Sequence, residues 1–184
     1  GRSNSFIKTS SKFPENLRTK KVLTIGNICS FMAIKNDLLE SWENSCLITD
    51  EKLINAFKKV RREDFVLKEY RNQAYEDIPL PILKNQTISQ PTTVMLMLQA
   101  LDLKETDIVL EVGSGSGYNA ALISVMVPKG KVYTSEIIPE LHEFAKLNLK
   151  YFKNVFQILS DGSVGLKDYS PYDKIIVTAS SPRI

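Results

Sequence analysis

Apolar residues recur at helical spacing over residues 28–44. Phe31, Ile34, Leu38 and Trp42 fall on one side and residues 36–43 are polar on the other, which predicts an amphipathic helix. A second run, Leu53, Ile54, Phe57 and Val60, predicts a shorter helix. Thr49 is its expected N-cap, with Lys52 standing where a capping box has an acid, and the charged Arg61-Arg62-Glu63-Asp64 marks its end. The residues from there to Ile82 include Tyr70, Tyr75, Pro79 and Pro81 and show no period, so they predict a loop lying over another part of the fold. A third helix is expected over residues 92–101, with Val94, Leu98 and Leu101 turned inward. The small polar stretch Gln86-Thr87-Ile88-Ser89-Gln90-Pro91 leads into it, and a Ser or Thr in such a place ordinarily caps the helix.

From residue 108 the period changes. Ile108, Val109 and Leu110 run through Glu111 and Val112 into Gly113-Ser114-Gly115-Ser116-Gly117, and a helix is expected from Tyr118. A continuous apolar run before a glycine turn fits a strand buried on both faces of a parallel sheet. Further strands are predicted at residues 131–135, ending on Glu136, at residues 155–159, ending on Ser160-Asp161-Gly162, and at residues 174–178 after Pro171-Tyr172-Asp173. Pro139 opens the intervening helix, with Leu141, Ala145, Asn148 and Leu149 on one side. Strands alternating with helices at these intervals predict an α/β fold, a doubly wound and mostly parallel sheet.

Composition narrows the class without changing this picture. The 184 residues are 43% hydrophobic and 24% charged, ordinary for a soluble globular chain, and no apolar run approaches a membrane span of about 18 residues. Cys29 and Cys46 lie far apart, and His142 is the single histidine, so neither a zinc site nor a disulfide framework is suggested. The net charge of +3 is uneven: residues 1–21 carry six basic residues against Glu15, which leaves the remainder at −2. The expected organisation is a mobile basic arm over residues 1–27, N-terminal helices with a substrate-side loop over 28–82, and a nucleotide-cradling domain over 83–184. A cytoplasmic protein is the default expectation, with no nucleic acid and no membrane as partner.

In open parallel sheets, ligands bind outside the carboxyl ends of the strands. Those ends here carry the glycine turn, Glu136 and Asp161-Gly162. The spacing is GxGxG rather than the dinucleotide GxGxxG, and no GK[ST] follows, so phosphate binding is disfavoured. Glu111, inside the motif, would repel a pyrophosphate and attract a cation. Glu136, about 20 residues beyond the turn, stands where an acid accepts hydrogen bonds from ribose hydroxyls. A cationic nucleoside is the ligand these residue types suit.

Four ordered segments, TISQP at 87–91, VLEVGSGSGY at 109–118, SDG at 160–162 and PYDKIIVTA at 171–179, resemble the protein-L-isoaspartate O-methyltransferase family, as does EDFVLKEYRNQAYEDIPLPI at 63–82. The resemblance covers about residues 36–184. It implies a Rossmann-like class I S-adenosylmethionine-dependent methyltransferase fold and methyl transfer to the free α-carboxylate of isoaspartyl residues in damaged peptides and proteins. Carried over by motif, Gly113, Ser114 and Gly115 would line the methionine part of S-adenosyl-L-methionine, with Glu111 beneath. Glu136 with Ile137 would hold the ribose, and Asp161 with Gly162 would flank the adenine. Gln86, Thr87, Ile88 and Ser89 would contact the cofactor, the last three facing the methyl-transfer centre and Ser89 positioning the acceptor. A carboxylate with a pKa near 3.5 is ionised at neutral pH and needs no general base, so His142 is read as a surface residue rather than a catalyst.

Two features depart from the family pattern. Thr92, Thr93 and Val94 stand where some members have a histidine, and the sequence stops at Ile184, before the strands with which members continue. An apolar strand 174–178 left at a sheet edge predicts a C-terminally truncated form, or an oligomer or second chain covering that edge, and weak turnover by the chain as it stands. A methyltransferase for another acceptor and a silent cofactor-binding module are the alternative readings.

Overall fold

The computed structural model describes residues 25–179, with side chains described from residue 32. Most of the basic arm therefore lies outside the described residues, and the first helix, α1 (Ile25–Asn44), begins three residues before the expected start. Leu38 and Trp42 of α1 are buried. The second helix, α2 (Glu51–Lys59), is capped by Asp50 rather than by Thr49: the Asp50 carboxylate accepts from the N–H groups of Lys52 and Leu53. Asp50 stands directly before the helix, where its carboxylate reaches those N–H groups, while the Thr49 N–H donates to Gln99 Oε1 at 2.7 Å. Leu53, Ala56 and Phe57 are buried, and Phe57 meets Trp42 edge-on with ring centroids 4.9 Å apart.

Residues 62–78 form no regular helix, as the prolines and aromatics predict, but they are ordered by two 3-10 turns at Arg62–Asp64 and Lys68–Gln73. They lead into a two-stranded antiparallel ribbon, β1 (Leu80–Pro81) with β2 (Thr87–Ile88), which sequence patterning did not predict because each strand is only two residues long. Its connection carries Lys84 and Asn85 at φ 57 and 55, a left-handed bend that few non-glycine residues adopt.

Helix α3 (Pro91–Leu101) starts on proline at its first turn and buries Val94, Met95 and Leu98. The central unit then follows in sequence: β3 (Ile108–Val112), α4 (Tyr118–Met126), β4 (Lys131–Glu136), α5 (Pro139–Leu149), β5 (Val155–Leu159) and β6 (Lys174–Val177). All neighbouring strands are parallel, in the order β5-β4-β3-β6. The chain moves outward from β3 through β4 to β5 and then returns across to β6, so the switch point lies between β3 and β6.

Register decides what each face carries. Glu111 pairs with Thr134 and Leu110 with Tyr133. The Glu111 face receives α4, nearly every residue of which is buried. The Tyr133 face is covered by the turns between β5 and β6, with the Tyr169 ring tilted at 4.8 Å and the Tyr172 ring edge-on at 6.1 Å from the Tyr133 ring. Because that crossover is built of short turns rather than a long helix, cover is thin, and Ile175 and Val177 stay 56% and 51% exposed. Among the described residues β6 pairs only with β3. Among them, too, no helix is long and apolar enough to cross a membrane.

Candidate functional site

The carboxyl ends of β3, β4, β5 and β6 open into one cavity of about 960 Å³. Every residue singled out from the sequence lines it: Gln86, Thr87, Ile88, Ser89, Glu111, Gly113, Ser114, Gly115, Glu136, Ile137, Asp161 and Gly162.

The glycine turn is shaped by backbone demands. Gly113 has φ 99 and its N–H donates to the Ser135 carbonyl, tying β3 to β4 where both strands end. A Cβ on Gly113 would stand 2.8 Å from the Ala179 Cβ. Gly117 has φ 86, and a Cβ there would overlap Leu149 of α5. Side chains at these two positions would separate the elements that form the cavity wall.

Two acids sit beneath the turn in different ways. Glu111 is fully buried, its Oε1 accepting from Asn119 Nδ2 at 2.8 Å and its Oε2 from the Thr134 hydroxyl. Burial pushes its carboxyl up to about 7, the nearby Glu136 charge adding to the rise and the two hydrogen bonds opposing it. Glu136, at the tip of β4, is held by backbone alone. Its Oε2 accepts from the Gly115 N–H and its Oε1 from the N–H groups of Ile137 and Ile138, each at 3.0 Å. Oε1 is thus filled and Oε2 keeps one acceptor position. Asp161, after β5, accepts from the Ser163 N–H at 2.9 Å, which holds its carboxyl below the usual range and fixes the turn that carries Gly162.

The β2–α3 junction also lines the cavity. Ser89 is exposed to the cavity and does not cap α3: the N-cap is Gln90, without a side-chain cap, and the Thr92 N–H is taken by Asp77 Oδ1 at 2.8 Å. The Ser89 carbonyl accepts from Arg62 Nη2 at 2.8 Å. Thr92, at the departure from the family pattern, receives the Trp42 indole N–H at 2.8 Å and so belongs to the packing of α1 on α3. His142 is half-buried on α5 and does not line the cavity, and Cys46 is an exposed free thiol.

Sequence reasoning missed Asn119, Tyr118, Ile138 and Leu141 on the cavity wall. A signal for the first existed, since residues 111 and 119 flank the glycine turn at a distance that returns α4 over β3. It missed Arg62 entirely, because a run of four charges ordinarily marks a solvated end.

A parallel sheet of this order, with a glycine turn after its first strand and acids at the next two strand tips, defines a Rossmann-like class I S-adenosylmethionine-dependent methyltransferase fold. The family model of protein-L-isoaspartate(D-aspartate) O-methyltransferase matches residues 32–184, and the chain belongs to that family. It is 49% identical over 162 residues to the protein-L-isoaspartate O-methyltransferase of Pyrococcus horikoshii, covering 83% of this chain and 73% of that one. It is 52% identical over 137 residues to protein-L-isoaspartate O-methyltransferase 1 of Archaeoglobus fulgidus, covering 73% and 63%. A solved protein-L-isoaspartate O-methyltransferase superposes with a TM-score of 0.70 at 34% identity, over 78% of this chain and 47% of that one. A Plasmodium falciparum structure assigned to beta-aspartate methyltransferase, in complex with S-adenosyl-L-homocysteine, gives 0.70 at 27% identity over 82% and 75%.

Proposed function

We propose that this chain transfers a methyl group from S-adenosyl-L-methionine to the free α-carboxylate of isoaspartyl residues in damaged peptides and proteins, as a cytoplasmic repair enzyme. One observation carries the reading: a single cavity brings the acids Glu111 and Glu136 together with Thr87, Ile88 and Ser89, a stretch that carries no acid.

The residues present fit the cofactor. A cavity of about 960 Å³ accommodates a nucleoside with an amino-acid tail. Two carboxylates under the glycine turn suit a ligand bearing ammonium and sulfonium charges, and would repel a pyrophosphate. In this reading Gly113, Ser114 and Gly115 line the methionine part and Glu111 faces its positive charge. The open acceptor position on Glu136 Oε2 takes a ribose hydroxyl beside Ile137, and Asp161 with Gly162 flanks the base. When bound, S-adenosyl-L-methionine supplies an electrophilic methyl group: the acceptor oxygen gains the O–CH3 bond as the S–CH3 bond breaks, leaving a neutral thioether.

The protein's own task is alignment. An ionised carboxylate needs no proton removed, so a site without a histidine suffices. What it needs is one oxygen held in line in a water-poor pocket, which the Ser89 hydroxyl and adjacent backbone N–H groups can provide. A positioned hydroxyl donates one hydrogen bond and leaves the attacking lone pair free. The apolar wall made by Ile88, Val94 and Leu141 keeps water away from the transfer.

The test uses the chain with a labelled methyl donor and two peptides of one composition, one isoaspartyl and one aspartyl. Methyl ester formed only on the isoaspartyl peptide supports the reading. Binding of S-adenosyl-L-homocysteine without any ester would sink it in favour of a silent cofactor-binding module.

A further inference from the structure

Arg62 is 0% exposed, yet among the described residues no carboxylate lies within ion-pair distance of it. The acids nearby are engaged elsewhere: Glu63 by Arg61 and the Tyr75 hydroxyl, Asp77 by the Thr92 N–H. A buried cation without a counter-ion is costly, and it needs a structural or functional reason. Its partners are carbonyls and a ring. Nε donates to the Ala74 carbonyl at 2.7 Å, Nη2 donates to the Ser89 carbonyl at 2.8 Å, and the guanidinium lies 5.0 Å from the centre of the Tyr118 ring. Nη1 is buried and has no partner, and the Tyr118 hydroxyl is likewise buried and unpartnered.

We infer that Arg62 is the positioning residue of the acceptor end of the cavity, setting the Ser89 segment and supplying the positive charge that favours a carboxylate there. The inference rests on the isoaspartyl reading above and adds the source of its preference for an anion. A planar fork joins three elements: the loop at Ala74, the junction at Ser89 and the first residue of α4 after the glycine turn. The donor end of the cavity holds Glu111 and Glu136, while the acceptor end has a guanidinium immediately behind it. A charge sealed from water, with no acid in direct contact, acts through a low-dielectric medium, so it is felt by an anion beside Ser89. Lysine could carry the charge but not both hydrogen bonds in one plane, so the fork and the charge are separable by substitution.

The test compares the wild-type chain with Arg62→Lys and Arg62→Met. Both variants are expected to raise KM for an isoaspartyl peptide, Met by about tenfold or more and Lys by less, while S-adenosyl-L-homocysteine affinity stays within about twofold. Amide hydrogen exchange at residues 87–90 should quicken in Arg62→Met without change at residues 113–117. Equal losses of peptide and cofactor binding, or unchanged KM and exchange, would overturn the inference. Should neither variant fold, the wild-type guanidinium still reports. Its buried Nη–H resonances should move when isoaspartyl peptide is added to the S-adenosyl-L-homocysteine complex, and resonances that stay put while peptide binds overturn the role of Arg62 alone. Failure of the peptide to bind wild type at all overturns the isoaspartyl reading and the inference with it.

Discussion

The Asn119 amide donates to Glu111 Oε1 at 2.8 Å, from the first turn of α4 back onto the strand that precedes the glycine turn. With the Thr134 hydroxyl on the other oxygen, a fully buried carboxyl is satisfied yet lacks a counter-charge. Its position between charged and neutral forms near pH 7 is a consequence of that imbalance: burial raises the pKa more than two hydrogen bonds lower it.

Stability should therefore fall with pH in the neutral range. The carboxyl of Glu111 is raised from its ordinary value to about 7, so its contribution is fully present below about pH 4.5, declines as pH rises, and levels off above about 7. Glu111→Gln removes the ionisation while keeping an acceptor for Asn119. The variant should match wild type near pH 4.5 and exceed it by about 3 kcal/mol at pH 8, from roughly 2.5 units at 1.36 kcal/mol each. Urea unfolding at both pH values checks this, and a variant no more stable at pH 8 would refute it.

Ligand binding should show the opposite trend. A cationic ligand next to Glu111 favours its ionised form, so S-adenosyl-L-methionine should bind more tightly as pH rises from about 5.5 to 7.5, with proton release seen calorimetrically. The slope should be absent in Glu111→Gln, and weaker for S-adenosyl-L-homocysteine, which lacks the sulfonium charge.

How much of this was legible in the sequence follows from the range over which each feature is determined. Glu111, the glycine turn, Glu136 and Asp161 were readable because strand, turn and tip are set within a few residues of one another, and a parallel sheet then brings the tips together. Arg62 was not, because its partners Ala74 and Ser89 lie 12 and 27 residues away and its burial depends on the fold of the 65–82 segment. Asp77 is similar: it serves α3 from 15 residues upstream, which is why Ser89, the local candidate for that cap, is free for other work. The Thr49 expectation failed at short range, since a threonine and an aspartate stood side by side and only geometry separates them.

Gly162 tests the adenine end. A Cβ there would overlap the Ser135 Oγ and the Val112 side chain, so the turn after β5 must sit directly on the tips of β3 and β4. Gly162→Ala should displace it, reducing S-adenosyl-L-homocysteine affinity by about tenfold or more with a stability loss of about 1–3 kcal/mol. Unchanged affinity by calorimetry would remove this turn from the cofactor site.

Thr92→Val addresses the junction that carries Ser89. It keeps the shape of Thr92 but leaves the buried Trp42 indole N–H without its acceptor, costing about 1–3 kcal/mol in urea unfolding. Cofactor affinity should not change, because neither Trp42 nor Thr92 lines the cavity; a matching loss of affinity would contradict that placement.

Ser89→Ala separates alignment from binding. The hydroxyl is not spent on capping α3, since Asp77 serves the Thr92 N–H, so its removal should leave stability within about 0.5 kcal/mol of wild type. A hydrogen bond to a charged acceptor oxygen contributes about 1.5–3 kcal/mol, which corresponds to a drop in turnover of about ten- to a hundredfold. Affinity for S-adenosyl-L-homocysteine should be nearly unaffected, because the cofactor contacts proposed at the glycine turn and Glu136 are made without the Ser89 hydroxyl. Unchanged turnover in single-turnover assays would shift the alignment of the acceptor to the backbone N–H groups at residues 89 and 90. In that case the Arg62 fork, which sets those groups through the Ser89 carbonyl, would be expected to carry the whole effect.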